Sequence, residues 1–155
     1  YLSLIIASTP ADLLENRIAK EPDNPALYQA LGDIYYAQER WEKARQAYEN
    51  SLQLKYDQPE LLNNLAWLFL KCPEEKLLDP RRALKLARDA FALDNQSVHI
   101  LDTLAEAYFQ NSMYKEAYYA ARKAFFMAKN NLDYYQGQLE KMAKYYSKLK
   151  NAITI

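Results

Sequence analysis

The amino-acid sequence predicts an all-α protein in which antiparallel helix pairs stack as an α-solenoid. A helical pattern occurs three times, as YQALGDIYY from Tyr28, LNNLAWLFL from Leu62 and LDTLAEAYF from Leu101. A second helical pattern with a small residue at a fixed offset follows each copy, and a helix pair repeated at this period is typical of a solenoid. Only two of the 155 residues are glycine, which also favours helices.

The spacing of the repeats is irregular at one place. In the first helices the small residues are separated by 34 and then 39 positions, and in the second helices the order is reversed. The small residues are Gly32, Ala66 and Ala105 in the first helices, and Ala44, Ala83 and Ala117 in the second. Five extra residues are therefore expected between Ala66 and Ala83, in the turn inside the middle pair.

The small residues predict close packing within each pair. We expect Gly32, Ala66 and Ala105 to face Ala44, Ala83 and Ala117, so that the two backbones approach closely. Tyr28, Leu31 and Tyr35 form an apolar stripe at helical spacing, as do their counterparts in the later copies. A single pair cannot bury that stripe, so the pairs must stack.

These landmarks resemble the tetratricopeptide repeat family, in a form common in bacterial proteins, and the resemblance covers about residues 10–146. The first repeat carries the family landmarks at Tyr28, Leu31, Gly32, Tyr35, Ala44, Tyr48 and Ser51. The later repeats have Ala66 and Ala105 in place of glycine, and Ala87 and Ala121 in place of the second-helix aromatic residue. The resemblance implies a right-handed solenoid that binds other proteins.

The whole chain is expected to be one repeat domain and, because it begins at Tyr1, a piece of a longer protein. Its expected parts are a half-repeat helix (9–24), repeat 1 (25–58), repeat 2 with the five-residue insertion (59–97), repeat 3 (98–131) and a capping helix (132–150). Thr9 and Pro10 predict the first helix start. The segment from Leu149 to Ile155 has no capping or turn residues and is expected to fray.

The apolar run YLSLIIAS at residues 1–8 is too short to span a bilayer. It could be the end of a removed membrane segment, the remnant of a preceding repeat, or an arm packed along the first helix. The last two readings are favoured.

In the family, the first helix of each repeat lines a concave groove, and five positions per helix point into it. By register these are Ala26, Gln29, Asp33, Tyr36 and Ala37, then Glu60, Asn63, Trp67, Leu70 and Lys71, and finally His99, Asp102, Glu106, Phe109 and Gln110. Four carboxylates against one lysine make this face acidic, and three large aromatic residues lie along it. Such a face suits a peptide or helix segment with apolar anchors and basic residues, although an aromatic stripe also arises from packing between repeats.

A well-known subset of the family binds chaperone C-termini with a clamp of Lys, Asn, Asn, Lys and Arg. The corresponding positions are Gln29, Asp33, Asn64, His99 and Thr103, of which only Asn64 matches. Because Asp33 would repel a carboxylate, capture of a chaperone tail is not expected. Asn64 stays among the candidate groove residues.

Other classes of function find little support. His99 is the only histidine, and the sequence has no glycine-rich loop and no metal-ligand spacing, so no catalytic residue, metal or cofactor is expected. The twenty acidic and twenty basic residues balance, which gives no electrostatic case for nucleic acid. The single cysteine, Cys72, excludes an internal disulfide but leaves the compartment open.

Two functional hypotheses remain: a non-catalytic scaffold that binds a peptide in the groove, and a module that self-associates. Self-association would use the N-terminal arm or the late tyrosines, Tyr114, Tyr118, Tyr119, Tyr134, Tyr135, Tyr145 and Tyr146. The alternative reading of these tyrosines is that they attach the third repeat to its capping helix. The inserted turn, with Leu77 and Leu78 expected to fold back, could contact a ligand or be a tolerated insertion.

Overall fold

The computed structural model describes residues 9–153, and within this range it contains eight α-helices and no β-strand. This confirms the all-α prediction of an α-solenoid built from helix pairs. The helices are α1 (Pro10–Ile18), α2 (Pro25–Ala37), α3 (Trp41–Leu54), α4 (Pro59–Lys71), α5 (Pro80–Leu93), α6 (Val98–Gln110), α7 (Tyr114–Met127) and α8 (Leu132–Ile153). The chain divides into two compact units, one ending at Asp57 and one beginning at Gln58.

Several helices begin where a capping side chain and a proline meet. Thr9 and Asp12 form a reciprocal capping box in front of Pro10, with hydrogen bonds of 3.2 and 2.8 Å. Asn24 caps α2 directly before Pro25. Asp79, directly before Pro80, accepts from the backbone amide of Arg82 at the start of α5. These caps satisfy amides that the helix itself leaves without partners.

The first unit is organised around a close approach of α2 and α3. Gly32 lies directly against the ring of Tyr48, which is 2% exposed, so the residue facing Gly32 is Tyr48 and not, as expected, Ala44 alone. The hydroxyl of Tyr48 donates to Asp33 at 2.8 Å, and Ser51 donates to the carbonyl oxygen of Pro25 at 2.8 Å. These two bonds, which start one helical turn apart on α3, link that helix to α2.

The second unit contains two helix pairs, α4 with α5 and α6 with α7, followed by α8. In the second pair Ala105 and Ala121 belong to one buried cluster together with Met142 of α8. Tyr135 of α8 is buried against Leu101 and Ala124 in a second cluster. The long last helix is therefore part of the core of this unit.

The inserted residues leave the geometry of the middle pair unchanged at its turn. Eight residues, 72–79, connect α4 to α5, whereas three residues connect the helices of the other two pairs. In all three pairs the backbone amide just before the second helix donates to the equivalent carbonyl oxygen of the first helix. The bonds run from Arg40 to Tyr35, from Asp79 to Phe69 and from Met113 to Tyr108, at 2.9 to 3.0 Å. The extra residues loop out between these two anchor points.

A short 3₁₀ turn, Glu75–Leu77, organises the loop. Leu77 folds back and is buried, but Leu78, expected to do the same, is 39% exposed. The expected fraying from Leu149 is not seen, since α8 continues to Ile153. The N-terminal run of residues 1–8, with its proposed arm, lies outside the described residues. Within residues 9–153, no helix combines the length and apolar character needed to cross a bilayer.

The contact between Gly32 and Tyr48 predicts the effect of adding one methyl group. In a Gly32→Ala variant the new Cβ would lie 2.4 Å from two ring carbons of Tyr48, and the buried ring has little room to move. We expect a loss of about 1–3 kcal/mol in the free energy of unfolding, measured by urea denaturation.

Gly137→Ala is the matched control, because no atom lies within 4 Å of the added Cβ in this exposed stretch of α8. It should raise stability by about 0.5–1 kcal/mol, the usual helix preference for alanine over glycine. In a Tyr48→Ala background, Gly32→Ala should no longer destabilise. Equal losses from Gly32→Ala in both backgrounds would show that the ring is not the cause.

Candidate functional site

The α4 positions expected to bind a ligand differ strongly in exposure. Glu60 and Lys71 are exposed, and Asn64 and Trp67 are half-buried. Leu70, expected in the groove, is 3% exposed and belongs to the core. The ammonium group of Lys71 lies 5.5 Å from the centre of the Trp67 ring, which holds the indole beside a positive charge.

Asn63 on the same helix carries an unsatisfied acceptor. Its side chain is only 8% exposed, and its Oδ1 has no hydrogen-bond partner among residues 9–153. A buried amide oxygen without a donor costs about 1–3 kcal/mol. Such a group is rare in folded proteins and calls for a donor from elsewhere.

The α6 positions are mostly engaged by the protein itself. His99 is exposed, but Asp102 and Glu106 are 9% and 3% exposed. Asp102 accepts a 2.7 Å hydrogen bond from the hydroxyl of Tyr134 on α8. The ring of Phe109 packs edge-on against Tyr145 of α8, with ring centres 4.9 Å apart.

Glu106 is the centre of a buried charge network. Lys71 of α4 and Lys141 of α8 each donate to it at 2.8 Å, one to each carboxylate oxygen. Gln110 donates both to Glu106, at 3.0 Å, and to the carbonyl oxygen of Leu70, at 3.1 Å. Burial alone would raise the pKa of Glu106, but the bonds from Gln110, Lys141 and Lys71 outweigh it and lower the pKa to about 2.

The pKa of Asp102 shifts in the opposite direction. Burial raises the pKa of its carboxyl group above the ordinary value, and the hydrogen bond from Tyr134 only partly opposes this effect. The same contact, together with burial, raises the pKa of Tyr134 to about 12. Of the four carboxylates expected to attract a basic ligand, the two on α6 are therefore an ion-paired glutamate and a buried, hydrogen-bonded aspartate.

Three α8 residues contact the expected groove positions of α6, which the sequence did not predict: Tyr134, Lys141 and Tyr145. They follow one another at seven and four positions along α8, which is a single helical stripe. Lys141 also lies 4.3 Å from the centre of the Phe109 ring. The helical spacing of these residues is visible in the sequence, but their packing against α6 is not.

The first unit holds the remaining candidates on α2. Gln29 is half-buried, and Asp33 is exposed although it accepts from Tyr48. Tyr36 packs edge-on against Trp41, with ring centres 5.1 Å apart. In the same unit a pocket of about 310 Å³ lies among α1, α2 and α3, which no sequence pattern predicted.

The late tyrosines form ring contacts between α7 and α8. Tyr114 and Tyr145 meet with Phe109, and Tyr118 and Tyr119 meet with Tyr146, at ring-centre distances of 4.9 to 6.3 Å. These contacts agree with the reading in which the rings attach the third repeat to the capping helix. Tyr119 and Tyr145 nevertheless keep 49% and 41% of their surface exposed.

Comparisons with known proteins agree with this fold. Residues 32–71 match the family model of the TPR (tetratricopeptide) repeat. No curated protein sequence matches the chain. Solved structures do resemble it, at low sequence identity.

The first tetratricopeptide repeat domain of Spaghetti (RPAP3), bound to the HSP90 peptide SRMEEVD, is 18% identical with a TM-score of 0.69, over 79% of this chain and 93% of that one. The OM64 domain from Arabidopsis is 21% identical with a TM-score of 0.67, over 77% and 94%. The Sgt2 domain from Aspergillus fumigatus is 20% identical with a TM-score of 0.68, over 82% of each chain. Residues 32–71 thus match the tetratricopeptide repeat model, and the chain shares the fold of these tetratricopeptide repeat domains.

Proposed function

We propose that this chain is a non-catalytic protein-interaction scaffold whose binding face in the second unit is α4. The observation that carries the proposal is the group formed by Asn63, Asn64 and Trp67. It combines a buried amide oxygen without a donor, a second amide and a half-exposed indole. An indole supplies contact area and amides supply directional hydrogen bonds, which is the composition of an energetically dominant contact.

The expected positions on α6 have a different role in this proposal. Asp102, Glu106 and Phe109 bind Tyr134, Lys141 and Tyr145 of α8, and Met142 and Tyr135 hold α8 in the core. A ligand could not displace α8 without exposing these buried side chains. The α6 positions therefore stabilise the unit, and His99 is the exposed candidate that remains on that helix.

The chemistry of the ligand follows from what remains exposed. One similar structure is bound to the acidic HSP90 peptide SRMEEVD. Here Glu60 is exposed on α4, so an acidic ligand bound to that helix would meet a carboxylate. We infer a peptide with an apolar anchor for Trp67, at least one basic residue, and donors for Asn63, whose buried oxygen becomes reachable when its side chain turns outward on binding. Gln29, Asp33 and Tyr36 belong to the proposal by repeat register.

The first test removes the aromatic anchor. Random dodecapeptides displayed on phage are selected on the immobilised wild-type chain, and the enriched peptides are synthesised for fluorescence-anisotropy titration. Trp67→Ala should weaken their binding by about tenfold or more, as truncation of a central anchor does. Leu93→Ala, which removes a 50% exposed apolar side chain from α5, should leave affinity unchanged. Equal affinity of Trp67→Ala and wild type would remove α4 as the binding face.

The second test uses the unsatisfied oxygen of Asn63. Asn63→Leu keeps the approximate volume and removes the orphan acceptor, so we expect the free energy of unfolding to rise by about 1 kcal/mol. Binding of the selected peptides should fall by about tenfold, because a ligand donor loses its acceptor. Asn64→Leu, at a half-buried neighbour, is the control for stability and should not stabilise the chain. An Asn63→Leu variant that binds as tightly as wild type would show that the oxygen does not contact ligand.

The third test concerns Glu106 and the pH dependence of stability. The pKa of Glu106 falls from an ordinary 4.5 to about 2, so its contribution to stability is complete above pH 4.5 and is lost as the pH falls towards 2. At pH 7, Glu106→Gln should cost about 1–3 kcal/mol, at the low end for a buried pair because both lysines are about a third exposed.

The difference between wild type and Glu106→Gln should shrink as the pH is lowered from 4.5 to 2, followed by urea denaturation at each pH. Glu140→Gln on the exposed side of α8 is the control and should track wild type. At pH 7 the Glu106→Gln variant should still bind the selected peptides. A pH-independent difference, or loss of binding without loss of stability, would contradict the structural role of Glu106.

A further inference from the structure

A second surface lies where the first half of α7 meets the last half of α8. We define the tyrosine–lysine face by Tyr118, Tyr119, Tyr145, Tyr146, Lys144 and Lys148. Tyr118 stacks on Tyr146 with ring centres 5.5 Å apart, and Tyr119 contacts both rings. These three rings form one cluster between α7 and α8, and the neighbouring Tyr145 belongs to a second cluster with Phe109 and Tyr114.

Positive charge is concentrated along this face. Residues 141–150 contain four lysines and no acidic residue. The ammonium group of Lys148 lies 5.9 Å from the centre of the Tyr145 ring, and that of Lys150 lies 5.9 Å from the centre of the Tyr146 ring. Lys144 and Lys148 are exposed, and neither has an ion-pair partner within the described part of the chain. Lysines near a helix C-terminus also stabilise the helix through its dipole, so their charge alone does not define a site.

The tyrosine hydroxyls supply the second observation. The hydroxyls of Tyr118, Tyr119, Tyr145 and Tyr146 make no hydrogen bond to any residue in the range 9–153. Elsewhere in the described residues, three tyrosine hydroxyls donate to carboxylates. The pairs are Tyr35 with Glu15, Tyr48 with Asp33, and Tyr134 with Asp102. A carboxylate is therefore an acceptor that tyrosine hydroxyls already use within this chain.

The ring geometry distinguishes a peptide from a nucleic acid. Bases bind single-strand proteins by stacking on free aromatic faces. Here Tyr118 and Tyr146 cover each other, and Tyr145 packs against Phe109 and Tyr114, so ring faces are used internally and the hydroxyl-bearing edges remain. Exposed apolar surface is also present, since Leu149 is 39% and Tyr119 is 49% exposed.

We propose that the tyrosine–lysine face binds an acidic peptide segment of a partner protein. Its carboxylates would accept hydrogen bonds from the tyrosine hydroxyls and pair with Lys144 and Lys148, and an aliphatic side chain would cover Leu149. This surface is separate from the α4 face, and its charge preference is the opposite. One scaffold would then hold two segments of different charge.

The experiment uses fluorescein-labelled peptides and the full chain. The acidic probe is three copies of Glu-Leu-Asp-Glu, and the neutral probe is three copies of Gln-Leu-Asn-Gln. We expect anisotropy to report binding of the acidic probe only, with affinity that falls as salt rises. Lys144→Ala/Lys148→Ala should weaken it by about tenfold, and Tyr119→Phe/Tyr145→Phe, which keeps the rings, by about fivefold.

The control Lys20→Ala/Lys129→Ala removes the same charge from two exposed lysines elsewhere and should bind like wild type. Trp67→Ala should also bind the acidic probe like wild type, so a failed α4 proposal and a failed proposal here give different results. Equal weakening by both lysine pairs, or no binding of the acidic probe, would overturn the proposal. Tighter binding of an oligo-dT twelve-mer would favour nucleic acid, and a rise in molecular mass with concentration would favour a second copy of the chain; either result would overturn the peptide assignment.

Discussion

The distance at which two helices of a pair can approach is the constraint on which the rest of this structure depends. In the first pair Gly32 leaves room for the ring of Tyr48. In the third pair Ala105 shares a buried cluster with Ala121, which stands in register with Tyr48. The first pair thus matches a large residue with a small one, whereas the third pair has two small residues and Met142 of α8 joins their buried cluster. In α8 the position that corresponds to these small residues is occupied by Leu139, 34 residues after Ala105. A further helix could not approach α8 there as closely as α3 approaches α2.

The middle pair keeps its packing despite five extra residues because one backbone hydrogen bond is retained. Asp79 reaches the carbonyl oxygen of Phe69, as Arg40 and Met113 reach the equivalent carbonyls of their pairs. A loop closed by fixed ends costs little more entropy when it is lengthened, so the added residues are tolerated. Leu77 then covers apolar surface that would otherwise be open.

The two acidic residues of α6 have pKa values that shift in opposite directions. Glu106 has a lowered pKa because two lysines and an amide surround it, whereas Asp102 has a raised pKa because its burial is only partly offset by Tyr134. Both groups hold α8 against α6. The chain is thus acidic at these two positions for reasons of internal packing, and its exposed contacts are an amide and indole group on α4 and a tyrosine–lysine face on α7 and α8.

The sequence by itself determined the class of fold, because the small and large residues recur at a period that only stacked helix pairs can satisfy. It also located the irregular turn, since register is a matter of counting. Only the tertiary structure decided which face residues remain exposed. Leu70 and Glu106 occupy the same register as ligand-facing positions of the family, yet burial and the approach of Lys141 remove them from the surface. The physical reason is that exposure depends on side chains from helices distant in sequence. Glu106 and Lys141 are 35 positions apart in the sequence, so no local pattern signals their contact.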